Sequence, residues 1–330
     1  MVITRFSFGR AIYIGFEWST MKQSIIIENV LKKTGNDNLI NELTTKLSQS
    51  EISTLLLALS KETVNKNTPN DILSKYESNR FVKPSKLNPI KVKRAELLML
   101  EMAEASGFSS VLLSPASPLG SCSVIAKVDQ NNVISATRGL EFISDSTNML
   151  AIYLANGIKN KTIDNTKSPV HLSATCRVTR GQMFKSNVFV PHFGLFTIVS
   201  SGKDTGSYGF EKDAIAKHME FYTSYFGDKL GHKLKVFLNV RNGYTDKIGF
   251  IDRIHCHLRE IYPHIDIIVN KEVIDNSYYQ GVNFKISVND VEIVDGGFVD
   301  WTQKLLGNKK ERLLTSGAGI DLQLFTGMLD

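Results

Sequence analysis

The chain of 330 residues has three cysteines, Cys122, Cys176 and Cys256, odd in number, far apart and without a CxxC pair. That pattern excludes a disulfide framework and a cysteine-based zinc site, and it suits reduced thiols in a cytosolic setting. No apolar run is long enough to span a bilayer, which argues against membrane insertion. Internal repeats and low-complexity tracts are also missing. The first twenty residues, MVITRFSFGRAIYIGFEWST, are apolar but broken by Arg10 and Glu17, and no small-residue cleavage site follows. This argues against a signal peptide and for a leader over residues 1–20 without regular structure. What the chain does have is the composition of an ordinary globular protein and enough length for roughly two domains. Its net charge of +6 and pI near 9.0 are compatible with contact with phosphates or RNA.

Residues 21–88 read as an N-terminal helical region followed by a linker. In LSQSEISTLLLALSKE, Ser48 and Glu51 form a capping-box pattern. Ile52, Leu55, Leu56 and Leu59 then fall on one helical face. The polar, proline-bearing NKNTPNDILSKYESNRFVKPSKLNP reads as a linker around residues 63–90. From residue 89 the pattern changes, and 89–330 read as one further domain. KVKRAELLMLEMAEASGF is an amphipathic helix with a C-cap signal at Gly107. Strands are expected at SSVLLSP, SVIAKVD, NVISATR, VHLSATCRV, FGLFTIVSS, KLKVFLNV, HIDIIVN, VNFKISV and VEIVDGGF. Helices are expected at 144–157, 210–226, 249–262 and 299–307. LLTSGAGIDLQLF reads as a buried strand passing through glycines into a helix. The sum is an α+β fold with a large antiparallel sheet flanked by helices.

Several of these stretches carry a resemblance. RAELLMLEMAEASGFSSVLLSP resembles motif 1 of class II aminoacyl-tRNA synthetases, CRVTRGQ with HFGLF resembles motif 2, and GAGIDLQL resembles motif 3. SDSTNMLAIYLA, SYYQGVNFKI and VDGGFVDW are similar to the "RPDxT", "DYYxGxxFE" and "GGGRYD" segments of histidyl-tRNA synthetases. Six segments in the family's order span about residues 90–328. The resemblance implies a synthetase-like catalytic domain, dimeric through the motif 1 region.

It also implies roles. Arg177 matches the motif 2 arginine that holds the α-phosphate of ATP, where a guanidinium stabilises developing charge. Arg180 matches a second arginine. His192 matches a position that reaches the phosphates, and Phe196 matches the aromatic on which adenine stacks. Gly317, Gly319 and Asp321 match the motif 3 turn near the nucleotide, ATP or AMP with magnesium. Asp145, Thr147, Tyr278, Tyr279, Gly296 and Gly297 match the amino-acid pocket, with the two glycines admitting a ligand close to the sheet.

The departures bear on chemistry. Leu322 stands where activating enzymes place an arginine over the γ-phosphate. Ile274 matches an arginine upstream of the tyrosine pair. Ile143-Ser144 replaces the arginine-proline before Asp145, Ile152 replaces a further arginine, and Thr179 takes a usually acidic position. Leucine and isoleucine offer no donor and no charge. The sequence therefore points to a synthetase paralogue other than a tRNA ligase. It would bind a small amino-acid-like or nucleotide ligand, in a regulatory or specialised role alongside a partner enzyme. The regulatory subunit of ATP phosphoribosyltransferase is a precedent. The alternatives are an adenylate-forming ligase that uses Lys203 or a lysine of residues 308–312 as its clamp, and an RNA-contacting dimer.

Other motifs read as structure. His255 and His257 lie two apart on a helix and diverge too far to share a metal. SPASPLGSCS reads as a structural turn near the pocket mouth, and Asp300 as a cap for the helix after it.

Overall fold

The computed structural model describes residues 14–182, 191–273 and 278–329, with side chains from residue 24 onward. The N-terminal region forms helices α1 (Ile14–Thr34), α2 (Leu39–Lys46), α3 (Gln49–Val64) and α4 (Pro69–Ser78). α1 thus begins inside the stretch expected as a leader, and residues 1–13 lie outside the description. α3 starts at the expected capping box: the Glu51 amide donates to Ser48 Oγ, and the Ser48 amide donates to the Glu51 carboxylate at 2.7 Å. α4 corrects the linker reading. Thr68 and Asp71 repeat the same box, and Pro69 occupies the first helical turn, where its missing N–H costs nothing. The proline is a helix start and not a break. α2, α3 and α4 bury no residue, so the expected apolar face at Leu55, Leu56 and Leu59 lies at the surface.

Helix α5 (Pro89–Ala105) is capped by Asn88, whose side chain accepts the Ile90 amide at 2.9 Å. It buries Val92, Ala95, Met99 and Ala103. It ends as Gly107 predicts, at φ +80°, with Phe108 N–H to Ala103 O and Gly107 N–H to Glu104 O, both 2.9 Å. That pair of bonds is a Schellman motif, and buried Phe108 closes it.

Strand β1 (Ser109–Ser110) is all that remains of the first expected strand. Strands β2 (Ala116–Pro118), β3 (Ser135–Ala136) and β4 (Leu140–Phe142) form a small separate sheet in the order β2-β4-β3. The strand expected at SVIAKVD is absent. Ser121–Ile125 is a helical turn, because buried Glu141 accepts the amides of Gly120 (2.9 Å) and Cys122 (3.0 Å) and curls the chain around its carboxylate. Only Ser135–Ala136 of NVISATR is extended. The turn reading of SPASPLGSCS holds, with the Cys122 thiol buried there against Ser144 Oγ at 2.8 Å.

Helix α6 (Ser146–Lys159), strands β5 (Val170–Thr179) and β6 (His192–Lys203), and helix α7 (Gly209–Tyr222) follow. Next come strand β7 (Leu234–Val240), helix α8 (Lys247–Ile261) and strands β8 (Asp266–Asn270), β9 (Gln280–Val288) and β10 (Val291–Val299). Helix α9 (Trp301–Leu306), strand β11 (Glu311–Gly319) and helix α10 (Ile320–Phe325) complete the order. Among the described residues the main sheet runs β1-β5-β6-β11-β10-β9-β7-β8, antiparallel except for the parallel edge pairs β1-β5 and β7-β8. This is the α+β architecture the sequence implies, with the helical segment preceding it.

The sheet has two distinct faces, since successive strand residues alternate sides. One face carries Phe196, Ile198, Leu314, Ala318, Phe284 and Val236, which pack with α5, α7, α8 and α10 in the larger core. The opposite face carries Leu172, Ala174, Val199 and Leu313 under Leu150, Leu154 and Trp301 of α6 and α9. Fully burying each such large apolar side chain stabilises the fold by roughly 1.5–3 kcal/mol.

Candidate functional site

Strand parity separates the sequence-predicted site residues into two groups. Asp145 caps α6: its Oδ1 accepts the Thr147 amide at 2.9 Å and Thr147 Oγ1 at 2.7 Å, and its Oδ2 accepts Tyr278 Oη at 2.9 Å. The adjacent Ser146 Oγ lies 3.1 Å from Thr197 Oγ1. Thr197 alternates with Phe196, so this cluster lies on the face of α6 and α9. Tyr279 stands edge-on to Tyr278 at 4.7 Å, and Trp301 is edge-on to Tyr278 at 5.3 Å. Burial, then the Asp145 charge, pushes the Tyr278 phenol well up, so it acts as a neutral donor to that carboxylate. Arg180 joins the same side. Its Nε donates to Ser144 O at 3.0 Å, and its guanidinium lies 5.1 Å over the Phe193 ring. Asp145, Thr147, Tyr278, Tyr279 and Arg180 are thus one constellation.

Arg177, His192, Phe196 and Asp321 are not part of it. Arg177 pairs across β5-β6 with Gly194, and a Cβ on Gly194 would meet Asp321 and Ile320. This is the face of α10 and α5. Arg177 Nη2 donates to Asp321 Oδ2 at 3.2 Å and to His192 O at 3.3 Å, while its Nε donates to His192 Nδ1 at 2.7 Å. Asp321 Oδ1 accepts the Gly194 amide at 2.8 Å. His192 Nε2 lies 2.6 Å from Lys83 O, and Arg80 donates to the carbonyls of Gly181 and Gln182. The N-terminal segment is therefore tied to the motif 2 hairpin through this network. Phe196 is fully buried and stacked on Phe221 at 5.0 Å, which corrects its reading as an adenine platform. Phe193, one position from His192 and partly exposed beside Arg180, is the accessible aromatic of this strand. Counting alternation from Thr197 finds it; matching the motif spacing does not.

The glycines divide as well. A Cβ on Gly297 would come within 2.6 Å of Tyr279 and 3.0 Å of the Asn283 backbone, so the tyrosine already fills the space expected for a ligand. One on Gly296 would strike Ser316 and Phe284 on the core side at 2.5 and 2.6 Å. Both are packing glycines, which corrects their reading as openings. A Cβ on Gly317 would meet Leu195, Thr197 and the Phe196 carbonyl in ordinary contact at 3.4 Å or more, so the fold accepts a methyl at that position on the face of α6 and α9. Gly319 has φ −71° and needs no left-handed backbone.

Three residues to which the resemblance gives no role, two of them inside its quoted segments, lie on this same face. Arg241, just beyond β7, donates from Nε to Asn283 Oδ1 at 2.7 Å, and Asn283 Nδ2 donates to Asp295 Oδ1 at 3.2 Å. Asn283 and Asp295 sit in neighbouring antiparallel strands whose polar side chains share this face. Burial pushes the Asp295 carboxyl up to about 6.

Of the residues expected at the triphosphate, Arg177, His192 and Asp321 are bonded to one another, while the alternative lysine clamp lies away from them. Leu322 packs against the larger core. Lys203 is paired with Glu311 at the far end of β6, eleven residues and about 36 Å from His192. Arg312 is bound to Asp204 and Glu211 at that same end. Ile274 lies outside the described residues. Asp300 precedes α9 without a side-chain cap bond and pairs with Lys304 at 2.8 Å instead.

The fold is that of class II aminoacyl-tRNA synthetase-like catalytic domains. Solved structures of that class match the chain. One is an ATP phosphoribosyltransferase regulatory subunit/histidyl-tRNA synthetase from Bacillus halodurans, with TM-score 0.54 and 14% identity over 75% of this chain and 83% of that one. A second is apo histidyl-tRNA synthetase of S. aureus, with TM-score 0.53 and 14% identity over 73% and 67%. A third is the RNA binding domain of threonyl-tRNA synthetase from Cryptosporidium parvum, with TM-score 0.59 and 10% identity over 72% and 64%. No protein-family model and no curated protein matches the sequence. Among the described residues no helix is long and apolar enough to cross a membrane.

Proposed function

We propose that this chain is a synthetase paralogue that binds a small amino-acid-like ligand on the pocket face and serves a regulatory or specialised role without activating amino acids. The observation that carries the reading is the division of the motif residues between two faces. Asp145, Thr147, Tyr278 and Arg180 stand together as a preorganised polar cluster. Arg177, which would meet the ATP α-phosphate in an activating enzyme, is on the opposite face and bound to Asp321 and His192. A cation already engaged by a buried carboxylate contributes little to a second anion. The Bacillus halodurans neighbour, an ATP phosphoribosyltransferase regulatory subunit/histidyl-tRNA synthetase, offers a precedent for such a role. Exposed Ile90, Leu97 and Leu112 around α5 support pairing with a second copy as part of the same reading.

A thermal-shift screen with histidine, the other amino acids, AMP and ATP with magnesium tests it. At least one amino acid raises Tm, Tyr278→Phe reduces that rise, and Arg177→Ala leaves it in place. If no amino acid stabilises the fold, or if ATP alone does, the reading fails.

A further inference from the structure

The two carboxylates of the pocket face differ in what they have left to offer. Asp145 accepts three hydrogen bonds from within the protein, two on Oδ1 and one on Oδ2. It is spent on holding α6 and Tyr278. Asp295 accepts one, on Oδ1 from Asn283, and no hydrogen bond from another described residue reaches its Oδ2. Asn283 is itself fixed, because its Oδ1 accepts from Arg241. The amide therefore presents only its NH2 to Asp295 and cannot flip without losing both bonds.

Lys285 and Arg241 favour the ionised Asp295 and Glu292 opposes it, but neither cation donates a hydrogen bond to its carboxylate. Lys285 faces it across the β9-β10 pair, but Lys285 Nζ is bonded to Glu292 at 2.7 Å. Arg241 lies beyond Asn283, and Tyr279 is a neutral phenol whose ionisation burial and the Asp295 charge oppose. On the other flank Asp295 pairs with Gly317 of β11. That glycine is not required by packing, since a Cβ there meets nothing closer than 3.4 Å. A half-buried carboxylate with an open oxygen is costly unless a donor or cation meets it, and the strand residue directly beside it is a glycine, with no side chain of its own to cover that oxygen.

We propose that Asp295, oriented by Asn283 and flanked by Gly317, receives the primary ammonium group of the ligand, so that the ligand class is an amine-bearing small molecule. This rests on the pocket-face reading given above. It adds a selection rule: the amine is required, and its binding strengthens as Asp295 ionises. With its carboxyl pushed up to about 6 mainly by burial, Asp295 is charged above that pH and neutral below it. Lys285, Glu292, Arg241 and Tyr279 are the titratable groups packed around it, and the Lys285–Glu292 pair carries no net charge. Ligand affinity therefore falls as the pH drops through 6.

The test is isothermal titration of the full chain with each of the twenty amino acids, and of every amino acid that binds with its deaminated acid of the same side chain. The proposal expects the deaminated acid to bind at least about tenfold more weakly, as does the amino acid to Asp295→Asn, the usual cost of losing a charge-assisted bond. Gly317→Ala, which the packing tolerates, weakens binding without lowering Tm. Equal binding of the deaminated acid, or unchanged affinity in both variants, overturns the Asp295 assignment while the pocket reading stands through the Tyr278→Phe loss. Binding by no amino acid overturns both.

Discussion

Arg177 is held by His192 and Asp321, and the consequence of cutting it away follows from burial. The arginine side chain is 36% exposed and the Asp321 side chain 4%, so solvent screens the cation more than the anion. Arg177→Ala leaves Asp321 with the Gly194 amide as its bonded partner and costs about 1 kcal/mol, measured by urea unfolding, with ligand binding unchanged. The glycines give a sharper contrast. Gly297→Ala drives a methyl into Tyr279 and the Asn283 backbone and destabilises by about 1–3 kcal/mol, while Gly317→Ala is close to neutral. Sequence motifs named both positions but could not separate them. The distinction depends on which neighbouring strand and which ring lie over each glycine, and that is long-range information. The same holds for Phe193 and Phe196. Both are aromatic positions in one apolar run, and only the pairing of β6 with its neighbours tells which ring is buried.

Among elements, periodicity and caps were largely legible. α3, α5, α6 and the strands β5 to β11 stand where hydrophobic pattern and turn chemistry put them. α4 was missed because its polar composition masked a capping box with proline in the first turn. The strand expected at SVIAKVD gives way to a helical turn because a single buried glutamate, distant in sequence, binds the amides of Gly120 and Cys122 just before it. Asn283 and Asp295 lie inside the quoted SYYQGVNFKI and VDGGFVDW segments but carry no role there, Arg241 lies outside every segment, and the three become a unit only when β7, β9 and β10 align. The N-terminal helices make their own prediction. α2, α3 and α4 bury no residue, and only α3 and α4 carry side-chain caps, so they open at low free energy. Their amides exchange with solvent faster than those of β6 and β11. Ser48→Ala and Thr68→Ala each weaken their own helix by about 1 kcal/mol and leave exchange in the sheet unaffected.

At the scale of the whole molecule, a polar chain in the larger core makes stability depend on acid pH. His171 Nδ1 lies 2.7 Å from Ser200 Oγ, which lies 3.1 Å from His218 Nε2, and His218 Nδ1 lies 2.8 Å from Ser316 Oγ. Burial, assisted by Lys217, pulls His171 down to about 4, and burial pulls His218 well below the usual histidine range. The unfolded histidines titrate near 6.5, so below that pH the unfolded chain binds protons that the folded chain refuses. Stability is therefore full above pH 6.5 and falls toward pH 4. Asp295 works in the opposite sense, since the folded state takes up its proton from about 6 downward, ahead of the unfolded value of 3.8. Two histidines against one carboxyl leave a net loss on acidification. A Tm profile from pH 7 to 4.5 shows it, and His218→Gln flattens it.

The central claim is that a synthetase fold persists here around a ligand pocket without the arrangement that activates amino acids. Amino-acid-dependent exchange of pyrophosphate into ATP measures that directly. The account predicts no exchange above background with any of the twenty amino acids, under conditions where one of them raises Tm. Exchange that depends on one amino acid and disappears in Arg177→Ala would contradict it.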